Sequence, residues 1–393
     1  MKNLRWFVLG VFVLASALNY LDRQLLPALA PGLREGLGLT NADYGLVLAA
    51  FSITYAVSAP LAGLFIDRVG LNVGISLAVG LWSAAGIATG LVRGRAGLLV
   101  CRALLGVAQA GGVPAVGKAI AKYLRPEERA LGNAVSQVGI GVGAALAPPL
   151  GIALASGYGW PWAFFVTGAA GLAWIPLWHR IARLAPPAET ARGEAPLPAG
   201  RLLRDSRLWA FVLANVLSMT VYTLWSNWTT VFLVEVHRMP LAATGAYAAI
   251  PPLFFNLGGL AGGWLSLRSM RAGVPALKAR LRVCVLSAVA MLATAAVPFV
   301  PGPIPATAAI CFSAFWAAAM SVNLYTMPLD VWGSGRAAFA VSMLTGAYGA
   351  MQAVFSPAVG ALVDRVGFPP VCAAVAALPL MACAVLRRAE RTQ

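Results

Sequence analysis

Charge is scarce in this chain, and acid scarcest of all. Charged residues fill 11% of 393 positions, with 13 Asp and Glu against 29 Lys and Arg. A soluble domain keeps about a quarter of its residues charged. Here 60% of the residues are hydrophobic, and a water-exposed fold of that composition would display apolar patches large enough to drive association. A bilayer removes the conflict, because lipid solvates apolar faces. It also accommodates the 41 Gly and 26 Pro, which disrupt soluble helices but are tolerated in spanning ones.

Other scarcities narrow the function. The two histidines, His179 and His237, have no Cys, His or carboxylate partner at ligand spacing, so no metal is expected. The five cysteines (Cys101, Cys284, Cys311, Cys372 and Cys383) form no CxxC pair and lie in or beside apolar segments, which favours buried packing over disulfides. There is no phosphate-binding Gly-x-x-x-x-Gly-Lys-Ser/Thr loop and no soluble catalytic domain, which argues against ATP-driven transport and any bound cofactor. Gly139-x-Gly141-x-Gly143 sits inside an apolar segment, where small residues let helices approach. The segments lack the arginine ladder of a voltage sensor and the acid or histidine pairs of a membrane-embedded enzyme. The net charge of +16 comes from basic residues between apolar segments, without a basic, aromatic-interleaved face, so no nucleic-acid partner is expected. The pattern follows the positive-inside rule, with anionic headgroups as a secondary attraction.

A spanning helix needs about 20 mostly apolar residues. Twelve segments qualify: 6–30, 45–66, 72–92, 96–121, 130–155, 160–180, 208–234, 243–266, 280–300, 304–326, 337–362 and 369–387. Ala15-Ser16-Ala17 mimics a signal-peptidase site, but the apolar run continues to Pro31, so the first segment reads as a retained helix. With the N-terminus inside, Arg34, Arg93, Arg95, Arg238 and Arg365 are the only basic loop residues outside. Both termini are therefore expected in the cytoplasm of a cell whose inner (plasma) membrane holds the protein. The polar stretch 181–207, with Pro186-Pro187, Pro196 and Pro198, reads as a flexible linker. The expected organisation is an all-α membrane protein with a six-helix bundle over 1–180, the linker, and a second six-helix bundle over 208–393.

The halves echo one another. Leu61-Ala62-Gly63 precedes Asp67-Arg68-Val69-Gly70, and Leu260-Ala261-Gly262-Gly263 precedes Arg268 and Arg271. Asp-Arg-Val-Gly recurs at Asp364-Arg365-Val366-Gly367. Internal repeats mark transporter folds, whose substrates bind near the bilayer midplane between repeats. Gly63-Leu64-Phe65-Ile66-Asp67-Arg68-Val69-Gly70 resembles the loop signature of the major facilitator superfamily, although Leu71-Asn72 replaces its usual basic pair. Asn19-Tyr20-Leu21-Asp22-Arg23, the Arg102 to Ala110 stretch running on to Pro114-Ala115, and Trp160-Pro161-Trp162-Ala163-Phe164 resemble its anion:cation symporter branch, above all hexuronate and galactonate transporters. So do Asn323-Leu324-Tyr325-Thr326 with Asp330, and the stretch from Asp364 to Phe368. The resemblance covers nearly the whole chain. It implies twelve helices in the major facilitator fold and transport of a sugar acid. It departs at Gln109, where the branch commonly carries a Glu that is a proton-coupling candidate.

Ionisable groups inside a membrane segment are costly and point to function. Asp22 and Arg23 lie deep in the first segment and Arg102 in the fourth. Lys118 sits near a segment end, where it can snorkel. Arg102 and Gln109, two turns apart, share a helix face. A planar guanidinium suits a carboxylate through two parallel hydrogen bonds, so Arg23 and Arg102 are candidates for a small organic anion. The structural alternative is that Asp22 pairs with either arginine only to hold helices together. As the one deep acid of the first half, Asp22 is the candidate proton carrier, and the resemblance matches it to an acid associated with coupling. Neutral candidates for sugar hydroxyls are Tyr20, Tyr55 and Gln137, the last two strengthened by the galactonate-type resemblance. In the second half they are Asn215, Tyr222, Trp225, Asn227, Asn256, Asn323, Tyr325 and Gln352, each alone more often helix–helix glue. Asp67 and Arg68 with Arg129, and Glu127 and Glu128 beside Arg125, suggest a charged gate. The expected partners are the anion, protons and the bilayer, with the protein a monomer.

Overall fold

The computed structural model describes residues 2–124, 129–184, 199–332 and 334–391, and among them all regular structure is helical. The helices are α1 (Lys2–Leu37), α2 (Asn41–Val69), α3 (Leu71–Thr89), α4 (Arg95–Gln109), α5 (Gly112–Tyr123), α6 (Arg129–Tyr158), α7 (Trp160–Ile181), α8 (Ser206–Glu235), α9 (Leu241–Ala248), α10 (Ile250–Arg271), α11 (Ala276–Met291), α12 (Pro303–Trp332), α13 (Ser334–Val366) and α14 (Phe368–Arg391). Eleven segments of the described residues are long and apolar enough to cross a bilayer. The remaining expected span, the eighth (243–266), falls on α9 and α10. The protein is an all-α, multi-pass membrane protein.

Three expected spans are not single α-helices. The fourth breaks between α4 and α5 at Ala110 and Gly111, the eighth between α9 and α10 just before Pro251-Pro252, and the ninth passes from α11 into a 3₁₀ stretch, Leu292–Phe299, that holds Pro298. Proline removes a backbone donor and crowds the preceding turn, and one lies within about two turns of each break: Pro114, Pro251-Pro252 and Pro298. The chain forms two compact units, one holding α1 to α7 and α9, the other α8 and α10 to α14.

The repeated Asp-Arg-Val-Gly ends two helices alike. Gly70 and Gly367 adopt φ of +85° and +76°, and each N–H donates at 3.0 Å to the carbonyl four residues back, that of Ile66 and of Val363. Only glycine enters this conformation without strain. In the first unit Lys118 Nζ also donates to Ile66 O at 2.9 Å, so this intramembrane cation closes the end of α2.

Small residues set how closely α1, α2, α4 and α6 meet. A Cβ at Gly106 would collide with Thr54 Oγ1 and the Phe51 carbonyl on α2. Gly139 and Gly143 of α6 lie against Val13 and Ala17 of α1, the close approach expected of that glycine run. Trp174 on α7 donates to Val11 O at 2.8 Å and stacks on Trp178 at 5.5 Å, which fixes α1 laterally. All five cysteines are buried and free.

In the second unit Asp205 caps α8. It accepts from Arg207 and, at 3.0 Å, from Trp332 Nε1 at the end of α12. The Arg207 side chain bonded to it holds its carboxyl down at about 2. Gly106→Ala is expected to lower the thermal midpoint in detergent by the equivalent of about 1–3 kcal/mol of overpacking. Gly117→Ala, with no atom within 4 Å of the new methyl, is expected to leave it unchanged.

Candidate functional site

Neighbouring residues on a helix point about 100° apart, and this separates Asp22 from Arg23. Arg23 faces a cleft within the first unit, with about 400 Å³ of atom-free space, lined also by Ser16, Asn19, Tyr20, Tyr55, Trp82, Gln109 and Gly112. Asp22 points elsewhere and does not line it.

The Arg23 guanidinium is held from two directions. Its Nε donates to Gln109 Oε1 at 3.2 Å, and its carbon lies 4.7 Å, 4.9 Å and 4.8 Å from the ring centres of Tyr20, Phe51 and Tyr55. Phe51 and Tyr55, one turn apart on α2, stack at 5.7 Å. Cation–π contacts in a desolvated site contribute up to ~2 kcal/mol, and here they fix the plane of the guanidinium. Gln109, only 1% exposed, spends its other end on α1, donating from Nε2 to Asn19 O at 3.1 Å. Asn19 is itself buried, and its Nδ2 has no hydrogen-bond partner among the described residues. An orphaned buried donor beside a cleft is costly until something accepts from it.

Asp22 belongs to a second, drier constellation. It is 4% exposed, and neither carboxylate oxygen has a hydrogen-bond partner among the described residues. The Arg102 guanidinium and the Thr167 hydroxyl lie nearest in effect, yet Thr167 Oγ1 donates to Phe164 O at 3.5 Å. Arg102 is 2% exposed, with Nε and Nη2 likewise unbonded. It interacts electrostatically with Tyr44 and Asp22 and lies 5.9 Å from the Phe164 ring. Opposite charges buried this deeply cost several kcal/mol in desolvation, which their attraction repays only with good hydrogen bonding.

The remaining expected residues are dispersed. Gln137 is exposed and does not line the Arg23 cleft. In the second unit Trp225 is buried and meets Phe232 edge to face at 5.5 Å. Asn323 donates to Gly262 O and Ala319 O at 3.0 Å and 2.9 Å, which fastens α10 to α12. Gln352 donates to the Tyr348 hydroxyl at 2.8 Å, and Tyr348 sits 6.4 Å from the Tyr222 ring. Arg68 is exposed. The side chains of Asp67 and Arg129, and residues Arg125, Glu127 and Glu128, lie outside the described residues.

Phe51, Trp82, Tyr44 and Thr167 were not singled out from the sequence, and Asn19 only as part of the Asn19 to Arg23 motif. Phe51 was findable, one turn before Tyr55. The others are set by which helices meet.

The family profile described as Major Facilitator Superfamily matches residues 12–343. The chain is 28% identical to the hexuronate transporter of Escherichia coli K12, over 98% of this chain and 94% of that protein. It is 28% identical to the galacturonate transporter of Dickeya chrysanthemi, over 68% and 82%. It is 26% identical to a probable sulfoacetate transporter of Cupriavidus necator, over 92% and 88%. In structure it superposes on a bacterial homologue of the human lysosomal transporter Spinster, solved inward-facing and unoccupied, with a TM-score of 0.82 and 20% identity over 100% and 98% of the two chains.

Gln109→Glu is expected to set a carboxylate against Arg23 that competes with an incoming anion. Above the pKa of the new acid, affinity falls. As pH drops and the acid protonates, affinity recovers. Anion affinity measured by calorimetry across pH checks this; a pH-independent affinity in the variant would mean that Arg23 does not receive the anion.

Proposed function

The chain belongs to the major facilitator superfamily and is a membrane transporter, not an enzyme; from that premise we propose that it imports a small carboxylate, a sugar acid by preference, by alternating access with proton symport. The observation that carries the reading is Arg23 in its cleft. A guanidinium that lines a cleft, with its Nε on Gln109 and its plane fixed by three rings, has the planar, charged donor geometry that suits a carboxylate. The relatives named for hexuronate and galacturonate support a hydroxylated carboxylate. The hydroxyls of Tyr20 and Tyr55 and the amide of Asn19 supply the hydrogen bonds such a ligand needs.

Coupling is assigned to Asp22. No hydrogen bond is lost when its carboxyl takes a proton, because neither oxygen holds one. Arg102 balances the ionised form. Asp22 and Arg23 are consecutive on α1, so a shift of that helix on anion binding moves the acid relative to Arg102. Proton occupancy and substrate occupancy then change together, which is what symport requires. Gln109 contributes no titrating group, so one proton per cycle is expected and monoanion uptake is electroneutral.

A second reading, exchange or facilitated passage without protons, is favoured by one observation, the neutral Gln109. Proteoliposomes separate the two: a pH gradient alone drives accumulation only in the coupled case. Asp22→Asn is expected to abolish gradient-driven accumulation while leaving counterflow between equal pools largely intact, since Asn mimics the protonated acid but has no proton to release. Accumulation by this variant would make Asp22 structural.

Arg23→Ala is expected to weaken anion binding by about 2–5 kcal/mol, far more than Lys118→Ala, whose ammonium serves the end of α2. Equal losses would place the anion elsewhere. The cytoplasmic location of both termini and of the 181–207 linker is part of the same proposal, and reporter fusions at the linker and C-terminus are expected to report cytoplasm.

A further inference from the structure

Away from the Arg23 cleft, a groove of about 650 Å³ runs between α11 and α14 in the second unit. Its floor is Val285, Leu380, Cys383 and Ala384, and Arg387 and Arg388 close one end. α11 and α14 are the ninth and twelfth crossings, so they run in opposite directions, and the start of α11 and the end of α14 lie on the same side of the membrane. The start of α11 adds Lys278 and Arg282, both exposed. Arg280 there is committed to Asp330 on α12. From Lys278 to Val285, and from Arg387 back to Leu380, is seven residues, about 10 Å of helix rise. The groove is therefore basic at one end and apolar about 10 Å deeper, the profile of a phospholipid from headgroup to acyl chain.

We infer that the α11–α14 groove is a binding site for an anionic phospholipid, with the headgroup phosphate on Arg387 and Arg388 and an acyl chain laid along Val285, Leu380 and Ala384. The apolar floor settles the occupant. In a bilayer the material that fills an apolar groove between spanning helices is hydrocarbon, and a free anion has no use for it. The basic end then decides the headgroup, because basic residues near the membrane surface attract anionic lipid. Cys383, buried in the floor directly below Arg387, leaves room that a bulkier residue would fill. The site is independent of what the protein carries.

The test uses the full-length protein purified in a mild neutral detergent. Thermal midpoints and retained lipid by native mass spectrometry are recorded with phosphatidylglycerol, cardiolipin, phosphatidylcholine or inorganic phosphate added. Anionic lipids are expected to raise the midpoint and co-purify, with phosphatidylcholine and phosphate giving little. Arg387→Ala with Arg388→Ala is expected to remove at least half of that increment, and the paired lysine substitutions to keep most of it. Val285→Trp leaves both arginines in place and fills the floor, so it is expected to reduce lipid retention as well, and it keeps the question open to measurement if the double alanine variant does not fold. Equal stabilisation by phosphatidylcholine, or an undiminished anionic increment in Val285→Trp and in the alanine variant, overturns the proposal. A full increment from phosphate alone would show a simple anion site and overturns it too.

Discussion

A single amide organises the first unit's chemistry. Gln109 reaches from α4 to α1, accepting from Arg23 and donating to Asn19 O. Each contact depends on the other, because an amide pinned at one end has one orientation left at the other. The contact is possible only because Gly106, one turn earlier, lets α4 close on α2, which also brings Phe51 and Tyr55 up to the guanidinium. Backbone approach, aromatic cage and the aim of Arg23 follow from the same pair of helix contacts.

The architecture was legible in the sequence because membrane solvation imposes it. A bilayer demands runs of apolar residues with every backbone group satisfied inside the helix, so length and apolarity fix the spans. The repeated Asp-Arg-Val-Gly marked two equivalent helix ends, and both glycines take the conformation that residue is there to provide. The breaks within spans were harder to read. Pro114, four residues after Ala110, Pro251-Pro252 and Pro298 each lie within about two turns of a break, but Pro148-Pro149 stay inside the unbroken α6, so proline alone does not tell which span breaks.

The site was half legible. Rarity alone exposed Asp22, Arg23 and Arg102, since the membrane makes each charge expensive, and Gln109 stood out through the family resemblance and its two-turn spacing from Arg102. What rarity does not reveal is direction. Asp22 and Arg23 read as one dipeptide, yet the helix turns them into different surroundings. Arg102 and Gln109 share a helix and a spacing, yet Gln109 bonds Arg23, while Arg102 does not line the Arg23 cleft and lies close enough to Asp22 to interact with its charge. Asn323 is divided: its Nδ2 donates to Gly262 O and Ala319 O, while its buried Oδ1 has no hydrogen-bond partner among the described residues. Whether a buried amide serves a ligand or a neighbouring helix depends on what lies opposite, which one sequence does not record.

The separation of the two arginines bears on how an anion and a proton can be linked at all. Were Arg23 and Arg102 in one cleft with Asp22, an incoming carboxylate would compete directly with Asp22 for positive charge, and coupling would be electrostatic displacement. With Asp22 and Arg102 buried together outside the cleft, that displacement is not available at contact distance. Charge interactions across a helix weaken with distance and with any water in the cleft. On the proposed symport the link is then mechanical, through α1, which carries Asp22 and Arg23 as consecutive residues. That helix is held at Val11 by Trp174 and at Asn19 by Gln109, and Gln109 is also the residue that bonds Arg23. On the proposed symport, the neutral amide does more than omit a titrating group: as the contact between α4 and α1 beside Arg23, it is the joint through which binding in the cleft would be transmitted to Asp22.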